Sequence, residues 1–162
     1  AKACMDAGQL VSDDISIGII NERLAQDDCK DGYILDGVPR TIAQAEALEA
    51  AGISFDAAVS IEISDEAIME RMSGRRVCPA CGASYHVVAI PPAVEGICDS
   101  CGAQLTIRKD DEPETVKARL AVYHSETEPL KEFYAARGLL IPVETRATAD
   151  ETTAAILEAL GI

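Results

Sequence analysis

The sequence predicts an α/β fold, a parallel sheet covered by helices on both faces and interrupted by one small insert of short strands. Three observations predict it. Strand-like apolar runs alternate with helical stretches along most of the chain. Four cysteines, Cys78, Cys81, Cys98 and Cys101, form a C-x2-C…C-x2-C frame in the middle. Turn residues surround that frame, with Gly82, Pro91-Pro92, Gly96 and Gly102 standing where a helix would need periodicity. At 162 residues the chain is long enough for one main core plus a small inserted unit.

The elements follow in order. Residues 1–7 read as a helix stopped by Gly8. Ser12, with Asp13 and Asp14 in the first turn, caps a second helix running to about residue 28, with Ile15, Ile17, Ile19, Ile20 and Leu24 as its apolar face. Residues 32–37 read as a short buried strand ending at a turn. A helix over 42–51 carries Ile42, Ala45 and Leu48 on one face. Residues 57–63 form a second strand, and Ser64 with Asp65 and Glu66 caps the helix that leads to Gly74. Beyond the insert, Pro113 opens a long helical stretch that breaks or kinks near Pro129 and ends about Gly138. Residues 139–143 make a last strand and 150–160 a last helix, with no internal repeat.

Charge narrows the function. The net charge is −14, and a protein that grips nucleic acid is usually basic on at least one face. Residues 74–111 are locally neutral, with Arg75, Arg76, Arg108 and Lys109 against Glu95, Asp99, Asp110 and Asp111. Arginine placed sparingly in an acidic chain suggests local binding of a phosphate-bearing small molecule. No stretch approaches the roughly 18–20 apolar residues of a membrane span, and no charged-then-apolar leader indicates secretion.

The frame reads as a structural metal clip. Sixteen residues separate Cys81 from Cys98, inside the usual interval for four-thiolate zinc ribbons. Two C-x2-C knuckles let four sulfurs converge on one zinc ion, and four protein ligands leave no position for chemistry. Unmetallated thiols, disulfides and iron remain the alternatives. Cys4 and Cys29 lie outside the frame and read as packed thiols. His86 and His124 read as structural, with no Ser-His-Asp or Cys-His set beside them.

The phosphate hands lie on both sides of the insert. Asp36-Gly37-Val38-Pro39-Arg40-Thr41 follows the first expected strand, where open α/β sheets bind ligands. Arg40 is placed there either for bidentate phosphate contact or as a plain surface residue. Asp36 could organise a hydrated Mg²⁺ or anchor the turn, and Gln44 could read a base edge. The order Asp-Gly-x-Pro-Arg-Thr, Gly-Arg-Arg, four cysteines, Thr-x-Arg-Lys-Asp-Asp resembles adenylate kinase of the zinc-containing bacterial type. The resemblance runs through essentially the whole chain, with Val38 where the family usually has Phe.

The resemblance implies a P-loop nucleoside monophosphate kinase fold with an inserted zinc-binding lid. It divides the chain into the end of an AMP-binding segment (1–11), core (12–73), lid (74–111) and C-terminal core (112–162). It implies that Gln9, Leu10 and Val11 line the AMP site, and that Gly37, Arg40 and Gln44 hold the AMP phosphate and adenine. Arg71 and Arg75 would grip the ATP phosphates, with Ser84 and Tyr85 near the ATP ribose and base. Arg108 and Arg119 would bridge the two phosphate chains, and the backbone near Arg146 and Ala147 would touch adenine. The implied activity is the Mg-dependent reaction ATP + AMP ⇌ 2 ADP in adenine nucleotide homeostasis, by a cytoplasmic monomer with no nucleic-acid or membrane partner. A UMP/CMP-type kinase and a non-catalytic zinc-ribbon binding module are the alternatives. The family's loop G-x-x-x-x-G-K-[ST] does not occur in these residues. The expectation is therefore a chain truncated at its N-terminus, without the family's first strand and inefficient as a catalyst by itself.

Overall fold

A computed structural model describes the backbone of residues 13–162, and side chains from Ile15 onward. The helix expected over 1–7 and the cap at Ser12 lie outside the described residues, as does Cys4. In chain order come α1 (Asp13–Leu24), α2 (Ile42–Ala50), β1 (Ala58–Glu62), α3 (Asp65–Gly74), β2 (Arg75–Val77), β3 (Ser84–His86), α4 (Pro113–Val122), α5 (Leu130–Ala135), β4 (Leu140–Glu144) and α6 (Ala149–Leu160). The chain divides into two compact units, one holding the described residues up to Ser60 with His124–Ile141, the other Ile61–Tyr123 with Pro142–Ile162. No helix among the described residues is long and apolar enough to cross a membrane.

β1 and β4 pair as a two-stranded parallel ladder. The Ala58 amide donates to the Leu139 carbonyl at 2.9 Å, and the Thr145 amide to the Glu62 carbonyl at 2.9 Å. The expected strand over 32–37 does not form. Its residues are irregular, and Ile34 is 94% exposed. An apolar run becomes a strand only where another backbone satisfies its amides and carbonyls, and among the described residues no strand lies beside this one.

In the first unit, α2 is capped by Thr41, whose hydroxyl accepts from the Gln44 amide. Its expected apolar face holds at Ala45 and Leu48, both buried, but not at Ile42, which is exposed. The face expected on α1 needs correction. Ile17 is buried, but Ile15 and Ile19 are exposed. Positions two apart lie roughly 200° around a helix, so these isoleucines cannot share one side. Ala45, Leu130 and Tyr134 form the core of this unit, with Phe55, Phe133 and Leu139 packed on it. Arg137 closes its edge with a fork onto Glu49, Nε to Oε1 at 2.6 Å and Nη2 to Oε2 at 3.0 Å.

The long helical stretch breaks where expected. α4 starts at Pro113, and after Val122 the backbone widens into a π turn over Tyr123–Thr127. α5 starts after Pro129, which has no N–H to continue a helical ladder. In the second unit, Ser64 caps α3 by accepting from the Ala67 amide. β2 and β3 form an antiparallel hairpin with Arg75 opposite His86 and Val77 opposite Ser84. Thr148 caps α6 in a reciprocal capping box with Glu151.

Candidate functional site

The four framework cysteines meet. Their sulfurs lie within 4.8 Å of one another, with Cys78 and Cys101 3.4 Å apart and Cys81 and Cys98 3.5 Å apart. These separations are far longer than a disulfide bond of about 2.05 Å. They sit close to the roughly 3.8 Å that bonds of about 2.3 Å to one tetrahedral zinc would set.

The two knuckles have the same internal wiring. The Gly82 amide donates to the Cys78 carbonyl at 2.9 Å, and the Gly102 amide to the Cys98 carbonyl at 2.8 Å. The Cys78 and Cys98 amides donate to the Ala83 and Ala103 carbonyls, each at 2.8 Å. Gly82 and Gly102 hold φ of +77° and +73°, which a side chain would strain.

The nearby amides of Cys81 and Ala80 hold the Cys78 thiol below its usual range against the opposing effect of burial. Tyr85 completes the second knuckle. Its hydroxyl accepts from the Asp99 amide at 2.9 Å and lies 3.5 Å from the Cys98 sulfur. The Tyr85 hydrogen bond, opposed by burial and helped by the knuckle amides, brings the Cys98 thiol down to about 6. Cys101 rises to about 12, because hydrogen bonding to the other sulfurs and burial outweigh the downward pull of the Ala103 amide. The donor set fits a soft or borderline dication, which would replace the protons these sulfurs share.

The phosphate-side residues fall into two groups. In the first unit, the Arg40 amide donates to Gln44 Oε1 at 2.8 Å and Arg40 Nε to the Gly37 carbonyl at 2.8 Å. The Thr127 hydroxyl donates to the Arg40 carbonyl at 2.8 Å. Gly37, Arg40 and Gln44 are thus brought together, and Asp36 stands exposed beside them. Thr127 was not among the sequence-predicted residues. Its link to Arg40 spans 87 positions, a separation no local pattern signals. Gln9, Leu10 and Val11 lie outside the described residues.

In the second unit, three of the expected arginines gather on one 3-10 turn, Lys109–Asp111. Arg75 makes a two-pronged contact with Asp111, Nε to Oδ2 at 2.7 Å and Nη2 to Oδ1. Arg108 grips Asp110, Nε to Oδ1 at 2.9 Å and Nη2 to Oδ2 at 2.8 Å. Arg119, from α4, reaches the same residue, with Nη1 3.3 Å from the Asp110 carbonyl and 3.7 Å from Oδ2. The turn before Pro113 therefore brings Arg108 and Arg119 to one carboxylate without a continuous helix between them.

Arg71 is exposed in the last turn of α3. Ser84 is exposed at the start of β3, whereas Tyr85 is buried against the cysteines. Ala147 is exposed, just ahead of α6, beside Arg146, whose amide donates to the Thr152 hydroxyl at 3.0 Å.

A two-unit α/β chain with a four-cysteine knuckle pair and arginines collected from separate elements has the parts of a phosphotransferase. The family model for adenylate kinase matches residues 1–139. An adenylate kinase of Caldicellulosiruptor saccharolyticus is 55% identical over all of this chain and 77% of its own length. Those of Lachnoclostridium phytofermentans and Lachnospira eligens are 53% and 51% identical over 99% of the chain, which covers 76% and 78% of their lengths. The chain belongs to the adenylate kinase family, and with it to the nucleoside monophosphate kinases.

Proposed function

We propose that the full-length protein catalyses ATP + AMP ⇌ 2 ADP with Mg²⁺, as a cytoplasmic monomer that balances adenine nucleotides. The observation that carries this reading is the convergence of Arg75 from β2 and Arg119 from α4 with Arg108 at the Lys109–Asp111 turn. Phosphoryl transfer asks for positioning and charge neutralisation more than for a nucleophilic side chain. Arginines with forked, fixed donors supply both.

Arg71 and Arg75 grip the ATP phosphates, and Arg108 and Arg119 bridge them to the AMP phosphate. Gly37, Arg40 and Gln44 hold AMP, the amide contact between Arg40 and Gln44 tying the phosphate hand to the base reader. Gln9, Leu10 and Val11 line the AMP side, and Asp36 orders the hydrated magnesium. Ser84 and Tyr85 stand near the ATP ribose and base, Tyr85 through the knuckle it braces, and the backbone at Ala147 meets adenine.

Residues 74–111 are the lid, between core segments 12–73 and 112–162, and residues 1–11 end the AMP-binding segment. Cys78, Cys81, Cys98 and Cys101 hold one zinc ion, whose contribution is structural, since four thiolates leave no open coordination position. Assay of the full-length protein with ATP against AMP, GMP, CMP and UMP tests the substrate. AMP is expected to be preferred, and highest turnover with UMP would overturn the assignment.

A further inference from the structure

The two acids of the Lys109–Asp111 turn differ in one decisive respect. The Asp111 side chain is 0% exposed and that of Asp110 is 39% exposed. Both accept the Nε–Nη2 edge of an arginine, Asp111 from Arg75 and Asp110 from Arg108. Burial decides whether such a contact can be exchanged. Taking Arg75 away would strand a carboxylate out of water, which is strongly disfavoured. Asp110 is half open to solvent, so a phosphate can take its place on Arg108 and Arg119 while water takes the carboxylate.

We propose that these consecutive carboxylates are positioning residues with separate duties: Asp111 permanently anchors Arg75, and Asp110 is a displaceable brace that holds Arg108 beside Arg119 until nucleotide phosphate replaces it. With its Nε–Nη2 edge fixed, Arg75 presents Nη1, which has no acceptor among the described residues, in one set direction. Asp110 imitates the ligand, because its two oxygens span Arg108 and approach Arg119 as two phosphate oxygens would. The backbone supports this division. The Asp111 amide donates to the Arg108 carbonyl at 3.0 Å, so the turn that buries one acid also fixes the outward projection of its neighbour.

The inference rests on the reading of Arg75, Arg108 and Arg119 as phosphate hands. In the full-length protein, kcat and KM for ATP and AMP are measured beside melting temperature for wild type, Asp110→Asn, Asp111→Asn, Asp111→Glu, Arg75→Lys and the Asp111→Asn/Arg75→Lys pair. A wild type that does not turn over ATP with AMP fails the functional reading, and the inference falls with it.

With an active wild type, Asp111→Asn should lower kcat/KM for ATP about tenfold or more. Asp111→Glu keeps the buried charge but moves the fork by one methylene, and should lose a similar factor even if the amide variant does not fold. The double variant should be no worse than the poorer single one, since both act through one guanidinium. Asp110→Asn should do the opposite and lower KM for both nucleotides about threefold, because a competing charge is gone. Retention of kcat/KM within about twofold in the foldable Asp111 variants, or additive losses in the pair, overturns the anchor. A KM unchanged or raised in Asp110→Asn overturns the brace.

Discussion

Gly74 lies under the His86 ring, where a Cβ would come within 2.2 Å of Nε2. The ring cannot simply swing aside. Its Nδ1 accepts from the Val88 and Ala89 amides, both at 3.1 Å, and His86 pairs across the hairpin with Arg75. A hinge at Gly74 would ask only for a pliant backbone, whereas the packing asks for the absence of a side chain. Gly74→Ala should therefore destabilise the protein by about 1–3 kcal/mol, the usual cost of overpacking. Chemical denaturation of Gly74→Ala and of Gly74→Ala/His86→Ala separates the two demands. Removing the ring should restore part of the lost stability, and no recovery would refute the steric account.

At the scale of elements, the cysteine knuckles show best what a chain states locally. Their spacing, and the glycines after Cys81 and Cys101, prescribe two equivalent turns that the backbone hydrogen bonds reproduce in duplicate. Metal analysis of the full-length protein should find about one zinc per chain. Cys78→Ser and Cys98→Ser should lower the melting temperature far more than they lower kcat at a temperature where the variants are folded. Stability unchanged by either substitution would exclude a structural zinc.

The cap at Ser64 was equally legible, and so was the break before Pro129, because caps and prolines act within a turn of themselves. The cap at Thr148 was missed, although Thr148-x-x-Glu151 carries the capping-box signature and could have placed the start of α6. The run over 32–37 misled for the opposite reason. Its apolar residues specify an extended segment that would be buried, but a strand depends on a partner elsewhere in the chain. The Arg75–Asp111 contact joins residues 36 apart, so the motifs named both residues without disclosing that one holds the other.

Over these 162 residues two electrostatic demands oppose each other. The net charge of −14 and pI near 4.4 make the folded chain repel itself at neutral pH. The arginines assigned to phosphate must attract polyanions inside that negative field. Salt screens both effects, since the Debye length falls from about 30 Å at 0.01 M to about 8 Å at 0.15 M. Repulsion spread over the surface weakens, and so does arginine attraction for nucleotide phosphates. Raising sodium chloride from about 0.01 to 0.3 M should thus raise the melting temperature while raising KM for ATP and AMP. The neutral balance of residues 74–111, four basic against four acidic, confines the attraction to a few fixed forks. Those contacts are closer than a Debye length, so KM should climb by a few-fold where a broad basic surface would lose orders of magnitude. Titrating salt in parallel thermal-melt and initial-rate experiments reads both responses. A KM that falls with added salt would mean that the acidic body, and not the arginine forks, dominates the approach of nucleotide.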